Sequence, residues 1–334
     1  MITAELRRAI AAAAGTDVDP LLRPATAPGS YASSLPFRLA APGQDPRLPA
    51  AALAARLETE PWIASAQVTG PGFLTVTVTH DALAGLAVRI ARAGPACAAS
   101  DALHGRTVPA PPPADPLTEP TWPQAQATLA AQLTARLAAA AGASLLSDAE
   151  RSPVPPPTPP PAIPARSGPV ADAVRYAGPD AVRFALARMP PGGDWSADAG
   201  PEATVVARHV LANPAYAVRY AHAAAAAVLR WAAMLGTRPA GFRPRLLAEP
   251  GELALLDVLS WLPERVAVAA RRSRPDEFAG YLEELAARTI EIMNTTGFTT
   301  ISSISSERLW LADAARTGLA AGLGLLGVGA PARL

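Results

Sequence analysis

Apolar positions along this chain recur mostly at helical spacing, and the breaks fall where glycine and proline stand. From Ile2 to Ala14, Leu6 and Ile10 sit at i, i+4 and Gly15 follows, which predicts a first helix. Pro49 to Glu58 predicts a second, with a proline in its first turn. The period then changes. Trp62 to Val68 and Phe73 to Thr79 read as strands, the latter alternating Leu74, Val76 and Val78 with Thr75, Thr77 and Thr79. Gly70-Pro71-Gly72 is a turn between them. Asp81 stands as a cap ahead of Leu83, Leu86 and Ile90, and Gly94-Pro95 closes that helix. Residues 1–95 thus read as a small α+β domain.

Beyond it no strand alternation returns. Residues 96–169 predict one helix running to Gly142 and then a proline-rich linker from Arg151 to Ala162, of polyproline II or disordered character. Residues 170–334 read as an all-α helical bundle, so the chain as a whole is mostly α. Asp180 opens a helix in which Val182, Leu186 and Met189 recur, and Pro190-Pro191 stops it. Next, Val206, Val210, Ala217, Tyr220, Ala221, Ala224 and Val228 predict one apolar stripe on a long helix, with Pro214 inside it and bending it.

Composition narrows the function classes. A length of 334 residues with half of them apolar suits two or three cored domains. No apolar run suits a membrane span, and the N-terminus lacks a signal-peptide layout. A single cysteine, Cys97, excludes an internal disulfide framework and a cysteine-based zinc site. His80, His104, His209 and His222 form no helical metal pair, so no metal site is expected. These features set a cytoplasmic location as the expectation. There is no lysine, and the formal net charge is +1, which argues against non-specific coating of nucleic acid. Local basic clusters remain, at Arg238, Arg243 and Arg245 and at Arg265, Arg271, Arg272 and Arg274.

Three stretches resemble the arginyl-tRNA synthetase family. Asp180-Ala181-Val182-Arg183 and the string Asn213-Pro214-Ala215-Tyr216-Ala217-Val218-Arg219-Tyr220-Ala221-His222 are similar to the start of its anticodon-binding domain, of the DALR type. Gly29-Ser30-Tyr31-Ala32-Ser33-Ser34 and Gly70-Pro71-Gly72-Phe73-Leu74 are similar to its N-terminal additional domain. The closing helices, including Tyr281-Leu282-Glu283-Glu284-Leu285-Ala286 and Arg308-Leu309-Trp310-Leu311-Ala312, resemble the family to the last residue, Leu334, where the family has methionine. The resemblance implies tRNA contacts at Asn213, Tyr216, Arg219, Tyr220, His222, Trp310 and Leu334, and at Tyr31 and Phe73 in the N-terminal domain. Arg271 and Arg272 are the candidate phosphate contacts. For Tyr216 and Tyr220, burial in the bundle core is the competing reading.

The same resemblance shows what is missing. The family's ATP-binding H-x-G-H tetrapeptide aligns with Thr121-Trp122-Pro123-Gln124, without either histidine or the glycine. Pro164-Ala165-Arg166-Ser167-Gly168 stands where its lysine-bearing second ATP loop belongs. Little chain remains for the nucleotide-binding fold. The expectation is therefore a core-deleted relative that binds tRNA, with tRNA-Arg as the family's substrate, and does not aminoacylate. It has no catalytic residues, and the family's ATP and Mg²⁺ are not expected. The alternative is a protein-interaction or regulatory module that has lost tRNA and pairs with, for example, a full-length synthetase. Active arginine–tRNA ligase is the third reading.

Overall fold

A computed structural model of the chain describes residues 1–16, 18–111, 113–146, 168–192, 200–300 and 304–334. The proline-rich run 151–162 lies outside the described residues, as does most of the second ATP-loop position, 164–167.

The N-terminal unit is helix α1 (Ile2–Ala14), strands β1 (Leu22–Pro24) and β2 (Ser30–Ser33), helices α2 (Leu35–Leu39) and α3 (Arg47–Leu57), and strands β3 (Ile63–Thr69) and β4 (Phe73–Val78). The strands form an antiparallel sheet in the order β1-β2-β4-β3, with Tyr31 opposite Val76 and Val76 opposite Ala66. Leu74, Val76 and Val78 all face the core, as their alternation predicts. Helices α4 (His80–Ala84) and α5 (Leu86–Ala93) follow, and a 3-10 turn, Gly94–Ala98, leads out. Thr79 is the cap of α4, not Asp81. The Thr79 hydroxyl accepts from the Ala82 amide, while Asp81 lies in the first turn, where its charge suits the helix dipole.

The middle of the chain holds more than one helix. Strand β5 (Thr107–Pro109), helix α6 (Trp122–Ala140) and strand β6 (Ser144–Leu146) form a β-α-β unit with the strands parallel. Strands of three residues carry no readable period, so alternation could not reveal them.

The C-terminal part is α7 (Pro169–Ala177), α8 (Pro179–Ala187), α9 (Ala203–Val206), α10 (Pro214–Met234), α11 (Pro250–Ser260), α12 (Leu262–Arg272), α13 (Pro275–Met293), α14 (Thr296–Thr299) and α15 (Ser306–Leu326). No strand occurs among its described residues. Pro214 does not bend a long helix. It is the first residue of α10, where its missing N–H has no role, and Asn213 caps it by accepting from the Ala215 amide at 3.1 Å. Helix α10 packs on α13 and α15, α15 on α5, and α12 on α6, so one apolar core runs from the N-terminal unit through the bundle.

Polar contacts fix that junction. The buried Tyr31 hydroxyl donates to Ser260 Oγ at 2.8 Å, Thr3 donates to the Ser260 carbonyl at 2.9 Å, and the Gly29 amide donates to Asp257 at 2.8 Å. Arg7 is ion-paired with Asp19 and Glu264, and Arg271 pairs with the same two carboxylates. Glu264 is only 6% exposed, so each arginine is needed to compensate its charge. Glu264→Ala should therefore destabilise the protein by about 3–5 kcal/mol, because two largely buried guanidiniums are left with Asp19 as their one shared carboxylate. Chemical denaturation measures this. A loss under about 1 kcal/mol would mean that the network behaves as a solvated surface pair.

Candidate nucleic-acid interface

Helix α10 turns its alanines inward. Ala215, Val218, Ala221, His222 and Ala225 are buried, so the buried stripe is rotated from the expected one, and Ala217, Tyr220 and Ala224 are only partly covered. Val210 precedes the helix and is exposed. In a helix this rich in alanine, either phase looks apolar in sequence. Packing picks the phase that lets small residues meet α13 and α15 closely.

The consequence is an aromatic ladder on the outer face. Tyr216 and Tyr220, at i, i+4, stack with centroids 5.7 Å apart and rings 27° from parallel. His209, in the loop before the cap, stacks on Tyr216 at 5.3 Å and 13°. Both tyrosines are partly buried and His209 is exposed, so the tyrosines lie at the edge of the core, not inside it. Asn213 fixes the loop that carries His209: its amide donates to the carbonyls of Val206 at 2.8 Å and Arg208 at 2.7 Å. Sequence reasoning passed over His209. Its signal is an exposed aromatic close ahead of a capping Asn-Pro.

The C-terminal tail runs beside this helix. Helix α15 ends at Gly327, in the left-handed region, and cationic or imidazole groups meet the carbonyls around that point. Arg136 donates to Leu325 at 3.1 Å, Arg183 to Gly327 at 2.8 Å and Arg230 to Ala332 at 2.6 Å. His222 Nδ1 lies 2.8 Å from the Pro331 carbonyl and, as the donor, fixes the tautomer. Burial pushes the His222 imidazole below its ordinary value, and nearby Arg316 adds to this against the Pro331 bond. Arg219 lies 3.7 Å from Asp180, and Asp180 approaches Gly329. Asn213, His222 and Arg219 therefore hold the local frame, while Tyr216, Tyr220 and the exposed Leu334 are the reachable members.

The remaining candidates lie elsewhere. Tyr31 is fully buried against Trp261, with ring centroids 5.3 Å apart, and serves the junction rather than a surface. Phe73 is half-buried beside Phe37. The Trp310 indole donates to Ala240 at 3.0 Å and lies under Arg92. Arg271 is committed to Asp19 and Glu264, and Arg272 to Glu277 at 3.1 Å. A free cation nearer the ladder is Arg208, exposed and without a side-chain partner among the described residues.

The family model described as the DALR anticodon binding domain matches residues 218–334, and that described as the arginyl tRNA synthetase N terminal domain matches residues 1–78. The chain is related to the arginyl-tRNA synthetases. Arginine–tRNA ligase of Clavibacter sepedonicus is 38% identical over 168 residues, which is 49% of this chain and 30% of that one. Its counterpart in Kineococcus radiotolerans is 39% identical over 169 residues, with the same shares. The match thus spans about 30% of each of these relatives. The structure of Thermus thermophilus arginyl-tRNA synthetase superposes with a TM-score of 0.70 at 15% identity, the alignment covering 100% of both chains, and supports the shared fold.

Thr121-Trp122-Pro123-Gln124, the stretch expected to align with the family's ATP tetrapeptide, lies at the start of α6. Thr121 is the N-cap residue, and its hydroxyl donates to Gln124 Oε1 at 2.8 Å. Trp122 is buried, and Gly200 packs on its indole too closely to admit a side chain. Pro123 removes one of the first-turn amides. These residues do not fit a triphosphate. Among the described residues no group of His, Cys, Asp or Glu could hold a metal ion, and no helix is long and apolar enough to cross a membrane.

The His222 clasp has a pH sign. Its folded-state pKa is below the ordinary 6.5, so the unfolded chain binds the proton more readily. The stabilisation is full above that value and is lost as pH falls through it toward the folded pKa. Proton NMR of His222 should give a midpoint below 6.5, and denaturation should show a loss between pH 7 and pH 5 that His222→Gln removes. A midpoint at or above the ordinary value would overturn this.

Proposed function

We propose that this protein binds the anticodon arm of a tRNA through the outer face of α10 and does not aminoacylate it. The stacked His209–Tyr216–Tyr220 ladder, with His209 exposed and both tyrosines partly exposed, carries the reading, since such rings suit a platform for unpaired bases. The DALR match and the arginine–tRNA ligase relatives point to tRNA, with tRNA-Arg as the first to test. Arg208 supplies a phosphate contact beside the ladder. The unsuited start of α6, and the limited share of the relatives that the chain matches, argue against ATP use and ligase activity. On this reading the protein needs neither ATP nor Mg²⁺ and acts in the cytoplasm. Residues 1–95 serve as the additional domain, 96–169 as core remnant and linker, and 170–334 as the anticodon-binding bundle.

A second reading rests on Val205, Val210 and Leu211, which are exposed around His209. An apolar rim of this kind also suits a protein partner such as a full-length synthetase.

Tyr220→Ala should weaken tRNA binding about ten- to a hundred-fold, as expected for loss of one base stack of roughly 1–3 kcal/mol, with an unchanged melting temperature. Arg208→Gln should weaken all tRNAs alike and lower the slope of log K against log salt by about 1. No binding by the wild-type protein at low salt ends the tRNA reading and favours the protein partner. Arginine-dependent ATP–pyrophosphate exchange should stay at background, with or without tRNA. Clear exchange in a preparation free of host synthetase would overturn the non-enzyme part.

A further inference from the structure

At the junction of the sheet unit and the bundle, away from the ladder, lies a cavity of about 370 Å³ between β1 and α12. That size is within the usual range for small-ligand sites. Its carboxylates are Asp19, Glu264 and Glu277, and each is already ion-paired, to Arg7, Arg271 or Arg272. Two further arginines in its wall, Arg23 and Arg265, have no carboxylate partner among the described residues. Local charge is therefore positive after all pairs are counted.

Two donors there also lack acceptors. Trp261 is 4% exposed and its indole Nε1 is buried without a hydrogen bond, and so is Arg265 Nε. Buried donors without partners are uncommon in folded proteins and destabilise them. The Arg265 guanidinium carbon lies 5.9 Å from the centroids of both the Trp261 and Tyr281 rings. Cation–π contacts on two rings hold the group in place without using its in-plane N–H donors. A pre-placed planar cation and a second arginine without a carboxylate partner together suit an acceptor-rich anion.

We propose that this cavity binds a phosphate group, held by Arg265 and Arg23 beside the Trp261 ring. The group belongs either to a free phosphate-bearing small molecule or to the backbone of a bound RNA. The site is separate from the α10 ladder and does not depend on the anticodon reading.

The test is ¹H–¹⁵N NMR of the indole resonances in the full chain, with Trp261→Phe identifying one of the six tryptophans. Inorganic phosphate or AMP, titrated at constant ionic strength, should shift the Trp261 resonance saturably. Arg265→Gln should weaken the effect by tenfold or more, and the exposed Arg23→Gln by a smaller factor. A shift produced by tRNA, and retained in Tyr220→Ala, assigns the phosphate to RNA. A shift with phosphate or AMP alone assigns it to a small molecule. No shift with any of the three overturns the proposal, as does a shift that neither Arg265→Gln nor Arg23→Gln reduces. Should Arg265→Gln lower the melting temperature, Arg23→Gln alone decides, because that side chain is on the surface.

Discussion

Glu264 is the pivot of this molecule. A buried carboxylate on the first turn of α12 accepts from Arg7 of α1 and Arg271 of its own helix, and Asp19 closes the set from the loop before β1. Such a set is stable only when complete, since removing one member strands a charge away from water. It sits next to the Tyr31–Ser260 bond and the Tyr31–Trp261 ring contact, so one small region ties sheet to bundle by charge, hydrogen bond and packing. In a synthetase relative with so little nucleotide-binding fold between its ends, this direct docking keeps both ends in one body. It also commits Tyr31, an RNA contact implied by the resemblance, and Arg271, a phosphate contact expected from its basic cluster, to partners inside the protein.

The unit between the ends is held by packing, not by what its first turn binds. The parallel β5-α6-β6 crossover persists, with α6 packed on α12, because burying Leu129, Leu133 and Leu137 stabilises it whatever its first turn binds. The first turn is another matter. A phosphate site needs free amides and room for close approach, and Trp122 with Pro123 supplies a plug instead.

Residues of the resembling string divide by what they touch. Asn213 and His222 are buried, the first capping α10 and pinning the His209 loop, the second clasping the tail. Tyr216 and Tyr220 are only partly buried and stack on each other. A match of residue types thus mixes groups that shape a surface with groups that form it. The mixture cannot be sorted without burial, because a capping asparagine and a base-reading asparagine look alike in sequence.

The sequence by itself determined the type of the longer helices and of β3 and β4, and many of their ends. Period-two alternation marked β4, glycine and proline marked helix ends, and the resembling stretches pointed to the arginyl-tRNA synthetases. These signals are local or motif-based, and local backbone chemistry fixes them. Only the tertiary structure decided the phase of α10, the role of Pro214 as a helix start, the short parallel strands, and which arginines are spent on carboxylates. Each depends on partners far away in the chain. An alanine-rich helix is nearly symmetric until α13 and α15 choose its inner face. A pair such as Arg7 with Glu264 spans most of the chain, a separation no window of sequence can see.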